Sequence, residues 1–268
     1  NIVISWHSDV IRQTTLLRFL KWLVDPVIRR ADAIIGATPG HFASSTQLKI
    51  YRHPERMRVI PYGLRLADYA ETPAIKAAAQ HLRDQYPGKH IVFAIGRHIY
   101  YKGFEYLIRA MSDLPDAVLL LGGRGPLTPD LKDLARKIGV ADRVVFTGRI
   151  PDERLVEYYY ACDVFCMPSV AQSEAFGIVQ VEAMACKKPV ICCELDNGVT
   201  YVNRHEETGL VVEPRNPVAL GAALDRLFKD APLRRKLGEQ AYRRVWAEFT
   251  TKNMGTKMLD LYRSLRGA

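Results

Sequence analysis

Short apolar runs alternate with longer amphipathic stretches along most of this chain, and the alternation predicts repeated β-strand and α-helix units. Strands bounded by turn residues that alternate with helical stretches are typical of a parallel sheet covered on both faces. The predicted strands cover 1–5, 33–36, 57–60, 91–95, 117–121, 144–147, 164–167, 189–193 and 210–212. The predicted helices cover 10–30, 40–52, 74–86, 103–112, 127–138, 152–161, 176–186 and 197–204, with a helical tail over 216–267.

The βα units fall into two series separated by the turn Pro87-Gly88. We therefore predict a first α/β domain over 1–87, a second over 88–249, and a last segment, 250–268, that crosses back to the first. The first series is short for such a domain and begins inside a strand. The first domain is thus expected to be incomplete in this chain.

Composition limits the class of protein. With 268 residues and 48% apolar content, the chain can form one large core or two ordinary ones, and no apolar run reaches the length of a membrane span. Five cysteines without a Cys-x-x-Cys pair indicate reduced thiols in a cytoplasmic protein. The net charge of +9 favours an anionic partner, either a nucleotide or an acidic lipid. Nucleic acid ranks lower because no nucleic-acid-binding signature is present.

The predicted helix over 10–30 is amphipathic and basic. Two interpretations are open, a helix that packs on the core with a solvated basic side or one that lies on an anionic membrane surface, and we favour the core. Its basic residues are Arg12, Arg18, Lys21, Arg29 and Arg30 against Asp25, and its apolar ones are Leu16, Leu17, Leu20, Leu23, Val24 and Val27, with Phe19 and Trp22 at the boundary.

The segment 173–184 carries the most specific chemistry. Glu174 precedes a predicted helix that Ala175, Phe176, Gly177 and Ile178 open, and Glu182 follows on that helix. Helix starts present unpaired N–H groups and partial positive charge, so they bind phosphate well. One carboxylate is thereby placed toward each end of a diphosphate ligand, as a nucleotide-sugar site requires.

A basic loop follows the first strand of the second series. Gly96 and Gly103 allow close backbone approach to a ligand, while Arg97 and Lys102 supply cationic donors suited to a diphosphate. The glycine-rich turn over 121–125 either allows close strand–helix packing or supports the site, and we assign it a supporting role. The absence of a full Gly-x-Gly-x-x-Gly pattern argues against NAD. Because no Asp-x-Asp pair occurs, we predict no metal site and no cofactor.

Two further residues have open interpretations. His7 lies just past a strand end and is either structural or part of the site. Asp152, after the segment 148–151 that contains Ile150, is either a helix N-cap or a reader of guanine N–H groups.

Together these motifs resemble the retaining glycosyltransferases of the group-1 type (family four). The resemblance implies the GT-B fold, with two Rossmann-like domains of parallel sheets, here with the N-terminal one incomplete. It extends over nearly the whole chain and includes Trp6-His7-Ser8-Asp9, Ile60-Pro61-Tyr62-Gly63, Gly96-Arg97, the Glu174–Glu182 pair, the 194–203 loop-helix and Phe249-Thr250.

The resemblance also implies residue roles. Arg97 and Lys102 would hold the donor diphosphate beside Gly96, Glu174 would contact the donor sugar, and His7 would reach that sugar from the first domain. The remaining donor-binding positions would be Ile150 and Asp152 at the base, Ala175, Phe176, Gly177 and Ile178 through their backbone, and Glu182 at the ribose.

The implied reaction is metal-independent transfer of a hexose, with retention of configuration, from a nucleoside diphosphate sugar to a glycan or lipid-linked acceptor. GDP-mannose is the first expected donor and a UDP-sugar the second, in lipopolysaccharide biosynthesis in the cytoplasm at the inner face of the cell membrane. A nucleotide-sugar epimerase and a nucleotide-sugar-binding fragment without activity are the alternatives.

Overall fold

The computed structural model describes residues 1–7, 9 and 14–266, without the side chains of 14–19. Its strands are β1 Val3–Trp6, β2 Ala33–Gly36, β3 Met57–Val59, β4 His90–Ile95, β5 Ala117–Gly122, β6 Val144–Gly148, β7 Val164–Met167, β8 Val190–Cys193 and β9 Gly209–Val212. Its helices are α1 Thr14–Arg30, α2 Pro39–Ala43, α3 Pro73–Asp84, α4 Phe104–Ala110, α5 Thr128–Lys137, α6 Asp152–Ala161, α7 Ile178–Ala185, α8 Val199–Val202, α9 Pro217–Lys229, α10 Ala231–Glu248 and α11 Thr251–Arg266.

The described strands form two parallel sheets, as the alternating pattern predicts. The first has the order β1-β2-β3 and the second the order β6-β5-β4-β7-β8-β9. Strand order reverses between β4 and β7, which pair through Val92 with Val164 and Phe93 with Phe165. A ligand crevice forms at such a reversal, outside the carboxyl ends of the strands.

The two sheets belong to regions that contact each other closely. Leu64 and the segment that enters α11 exchange hydrogen bonds, from Leu64 N to Phe249 O at 2.7 Å and from Thr251 N to Leu64 O at 3.1 Å. Farther along α11, Leu261 packs with Ala33 and Ile35 of the first sheet. The last helix therefore covers the first sheet, and the domain limits at residues 87 and 249 stay a prediction.

Three predicted helices have different limits in the structure. Helix α2 ends at Ala43 because the Asp9 carboxylate accepts hydrogen bonds from the Ser45 hydroxyl at 2.5 Å and from the amide of Thr46 at 2.7 Å, which turns the chain away. The helix expected over 197–204 is reduced to α8, four residues long. The predicted tail is three helices, α9, α10 and α11, because Asp230 and Thr250 begin new helices by capping the amides of Leu233 and Asn253.

The prediction that α1 turns its apolar side to the core is wrong for half of that side. Ile28 is buried and Val24 half-buried, but Leu20, Leu23 and Val27 are 41, 49 and 47% exposed, and Trp22 is 72% exposed. The predicted positions that lie outside the described residues or side chains are Ser8, Arg12, Leu16, Leu17, Arg18 and Phe19. In the described part of the chain, no helix combines the length and apolar character that crossing a bilayer requires.

Candidate donor-binding site

Two loops meet at the strand reversal, one after β4 and one after β7. Lys102, in the first loop, lies with its Nζ 2.5 Å from Oε2 of Glu174 in the second, and both side chains are nearly buried. The Ser169 hydroxyl donates to the same Oε2 at 2.8 Å. The structure therefore brings together the basic loop and the acidic segment that the sequence predicted to share one anion.

The cation on the other side of the basic loop is Arg97. Its side chain is exposed, and within the described residues it makes no hydrogen bond or ion pair. A planar guanidinium that has no internal partner can bind both oxygens of a phosphate. Lys102 is different, because its ammonium already donates a hydrogen bond to Glu174.

The start of α7 differs from the prediction in its first residues. The helix begins at Ile178, while Gly177 precedes it with φ +72°, so Ala175, Phe176 and Gly177 form a loop and do not open the helix. A β-carbon on Gly177 would lie 2.6 Å from Sδ of Met167, which leaves room for glycine alone. The first backbone hydrogen bond of the helix runs from Gln180 N to Gly177 O at 2.9 Å. The amides of Ile178 and Val179 precede it, at the position where a helix binds anions.

Phe176 joins this loop to the first-sheet side of the molecule. Its ring is 4% exposed and makes edge contacts with Tyr62 and Phe249, with centroid separations of 4.9 and 5.9 Å. Only the Phe176 backbone can therefore meet a ligand. Asn197 supports the same loop by donating to the carbonyl oxygen of Glu174 at 2.6 Å.

Glu182 has no cationic partner among the described residues, unlike Glu174. It accepts a hydrogen bond from the Tyr159 hydroxyl at 2.6 Å, and Tyr159 is fully buried. Burial raises the pKa of Glu182, and hydrogen bonds from Tyr159 and Tyr69 lower it in part. The negative charge of Asp152 adds to the increase.

Asp152 is exposed and is the first residue of α6; Pro151 occupies the N-cap position, so the N-cap interpretation of Asp152 is wrong. Its carboxylate is close enough to Glu182 to affect that pKa, which places both groups on one side of the site. Ile150 is 8% exposed and belongs to the core, so its backbone is the part available to a ligand.

The glycine-rich turn after β5 packs against the basic loop. Gly123 has φ +102°, and a β-carbon there would lie 1.9 Å from the carbonyl oxygen of Gly96. The turn therefore contacts the basic loop directly through its backbone. It holds Gly96 in place at the end of β4.

His7 reaches the site from the first sheet. Its Nδ1 lies 2.5 Å from the Tyr62 hydroxyl, and the two rings stack with centroids 5.8 Å apart. Because Tyr62 also contacts Phe176, His7 lies near the acidic segment. Its neighbour His41 is buried, with Nδ1 bonded to the Thr38 hydroxyl at 2.8 Å and Nε2 without a partner among the described residues. Burial, and then the charge of His7, lower the pKa of His41.

Sequence reasoning missed Ser169 and Tyr159, and it named Tyr62 and Asn197 only as parts of family motifs, with no role at the site. Ser169 and Tyr62 each follow a strand end, which is a usable signal, whereas Tyr159 and Asn197 face the site only because of tertiary packing. The five cysteines are free and buried, as predicted for packed thiols. Among the residues that the structure describes, no cluster of His, Cys, Asp and Glu is suited to a metal ion.

Two Rossmann-like units of parallel strands, with an anion-binding loop and helix start at the strand reversal of the second, define the GT-B class of fold. The sequence profile of the family "Glycosyl transferases group 1" matches residues 79–244, and the chain belongs to that family. The predicted family and fold are thereby confirmed.

Individual relatives agree with this assignment. The chain is 35% identical to the D-rhamnosyltransferase WbpZ of Pseudomonas aeruginosa over 92% of this chain and 63% of that protein. It is 31% identical to the O-antigen chain mannosyltransferase C of Escherichia coli over 98% of this chain and 69% of that protein. A sucrose-phosphate synthase from Thermosynechococcus elongatus superimposes with a TM-score of 0.84 at 29% identity, covering 99% of this chain and 68% of that one. The chain thus spans about two thirds of the length of its relatives.

Proposed function

We propose that this protein is a glycosyltransferase that moves a hexose from a nucleoside diphosphate sugar to a glycan or lipid-linked acceptor, with retention of anomeric configuration and without a metal ion. The observation that carries the proposal is the 2.5 Å contact between Lys102 Nζ and Glu174 Oε2. It joins the loop that bears Arg97 to the segment that leads into α7, so cations, amides and a carboxylate surround one space.

The chemistry of that space suits departure of a diphosphate. Charge develops on the leaving phosphate oxygen as the glycosidic bond breaks, and fixed donors aimed at that charge stabilise the transition state. Arg97, Lys102 and the amides of Ile178 and Val179 are such donors. Glu174 and His7 then face the sugar, and Glu182 accepts from the ribose hydroxyls.

We propose GDP-mannose as the donor. The relatives with 35 and 31% identity are named for D-rhamnose and mannose, and D-rhamnose is 6-deoxy-D-mannose, so both names refer to one sugar configuration. For the base, the exposed Asp152 offers a carboxylate that can accept hydrogen bonds from guanine N–H groups, whereas uracil presents a different edge.

A thermal-shift screen over GDP- and UDP-sugars tests donor binding directly. A ligand present at 100 times its Kd adds about 2.7 kcal/mol to the apparent free energy of unfolding. We expect GDP-mannose to stabilise the protein and UDP-sugars to have a smaller effect. No response to any nucleoside diphosphate sugar would contradict the proposal.

Product analysis separates transfer from the alternatives. An epimerase would convert the bound sugar nucleotide with no acceptor present, and a binding fragment would stabilise without any product. We expect new glycoside only when an acceptor glycan is added.

We also propose that α1 binds the anionic inner face of the cell membrane, so that the acceptor-binding side of the protein faces the bilayer. The exposed side of the helix combines Leu20, Leu23 and Trp22 with the exposed cations Arg29 and Arg30. Apolar and aromatic groups beside basic ones suit the headgroup region of an acidic bilayer. A lipid-linked acceptor would be reached from that surface.

Vesicle binding tests this placement. With phosphatidylglycerol vesicles we expect a fluorescence shift of Trp22 that is absent with phosphatidylcholine and weakens as salt is added. Trp22→Phe should remove the shift, whereas Trp246→Phe, at a tryptophan that is 55% exposed on α10, should keep it. Equal binding to neutral and anionic vesicles would contradict the electrostatic part of the proposal.

A further inference from the structure

Ser169 lies two residues beyond the end of β7 and is fully buried. Its hydroxyl donates a hydrogen bond to Oε2 of Glu174 at 2.8 Å. A short segment anchored directly to a central strand has little freedom, so this donor has a fixed position in the site. Nothing in the sequence pattern assigns it a role.

The two oxygens of the Glu174 carboxylate are used differently. Oε2 receives both Lys102 and Ser169, whereas Oε1 receives no hydrogen bond from the described residues. The last torsion of a glutamate side chain has a broad energy profile, so its carboxylate turns easily unless neighbours fix it. Lys102 alone would follow such a turn because its ammonium lies on a flexible four-carbon stem. The Ser169 hydroxyl is the partner that sets the orientation.

We propose that Ser169 is a positioning residue, which holds Glu174 so that Oε1 stays directed at the donor sugar. This inference rests on the proposed function, because it assigns Oε1 a sugar hydroxyl as its partner. Ser169 itself touches no substrate. It acts by keeping the Glu174 acceptor in the one geometry that the transferring sugar requires.

The chain provides a matched control beside Glu174. Ser173 carries a buried hydroxyl that makes no hydrogen bond to any described residue. Ser169→Ala and Ser173→Ala therefore each remove a buried hydroxyl from one loop, and only the first breaks a bond to Glu174. Ser169→Cys adds a variant of similar size with a weak S–H donor.

The test compares the Kd of bare GDP with the Kd of GDP-mannose by calorimetry, and follows kcat and KM for transfer. We expect Ser169→Ala to leave the Kd of GDP unchanged and to lower kcat about 10- to 100-fold, the range for losing a hydrogen bond to a charged group. The ratio of the Kd of GDP to the Kd of GDP-mannose should also fall. Ser169→Cys should lie between the alanine variant and wild type, and Ser173→Ala should match wild type.

Three outcomes would overturn the positioning role. One is wild-type turnover in Ser169→Ala. The others are an equal loss of turnover in Ser173→Ala and a parallel loss of GDP affinity in Ser169→Ala, since either indicates a general packing defect of the loop. Failure of the proposed function is separate, because it would appear in the wild-type protein as no binding of sugar nucleotides.

Discussion

Glu174 and Glu182 lie on opposite sides of one helix start, eight positions apart, and the protein surrounds them in different ways. Glu174 is paired with a lysine and a serine, so its negative charge is balanced. Glu182 accepts hydrogen bonds from two tyrosine hydroxyls, and burial raises its pKa. Glu174 thus has a cationic partner within the protein, whereas Glu182 has none among the described residues.

The difference indicates separate tasks for the two acids. Glu174 suits catalysis at the sugar, where a fixed acceptor is needed in each turnover. Glu182 suits recognition, where contacts with the ligand must offset the free-energy cost of burying its charge. The comparison leads to four predictions.

The largest effect is expected at Glu174. Glu174→Gln should reduce transfer about 1000-fold, comparable with the loss of one preorganised group in other active sites. GDP binding should be kept or strengthened, because Lys102 loses its internal anion and is free for phosphate. Steady-state kinetics and calorimetry measure the two quantities, and Glu105→Gln, at an exposed position on α4, is the control. Full activity in Glu174→Gln would remove this residue from the catalytic assignment.

A smaller effect is expected at Glu182. Glu182→Gln should weaken GDP binding about 10- to 100-fold, since a charged acceptor of the ribose hydroxyls is lost. Its effect on transfer at saturating donor should be slight. Affinity that is unchanged in this variant would contradict the recognition role.

The raised pKa of Glu182 also gives the sign of a pH effect. Folding raises this pKa above the ordinary 4.5, so the folded state takes up a proton before the unfolded state does as pH falls. Ionised Glu182 therefore lowers the free energy of unfolding at pH values above the raised pKa, and this cost disappears as pH falls through the raised pKa toward 4.5. Donor binding needs the carboxylate, so it should weaken over the same pH range. Glu182→Gln should show neither change in unfolding or calorimetric titrations.

The smallest effect is expected at Asp152. Asp152→Ala should weaken GDP binding about tenfold, the value of one hydrogen bond to a charged group, and leave UDP binding unchanged. Glu153→Ala changes the next exposed acid in the same helical turn and serves as the control. Equal losses for GDP and UDP would show that Asp152 does not read the base.

Much of this architecture could be predicted from the chain. Strands β5, β7 and β8 are apolar runs that are buried throughout, so pattern and burial agree. Strands β4, β5 and β7 begin and end within one residue of the prediction. The prediction that the basic loop and the segment 173–184 lie at one site followed from two motifs that both lie at carboxyl ends of strands. These features depend only on local sequence and on the rule that ligand sites of parallel sheets lie at the carboxyl ends of the strands.

The predictions were wrong where contacts between residues far apart in the chain determine the local structure. Helix α2 is shortened by the Asp9 carboxylate from another loop, and Gly177, with φ +72°, lies in the loop before α7. The apolar residues of α1 have the helical period of a buried face, yet Leu23 and Val27 are exposed. Periodicity shows that a helix has an apolar side, and only the fold shows what that side meets.

The central claim is that the basic loop and the start of α7 bind one diphosphate. A crystal structure of the protein with GDP tests it most directly. We predict that the two phosphates lie between Arg97, Lys102 and the amides of Ile178 and Val179, with the ribose on Glu182. A diphosphate bound at any other surface, with Lys102 still paired to Glu174 and no ligand at α7, would contradict the account.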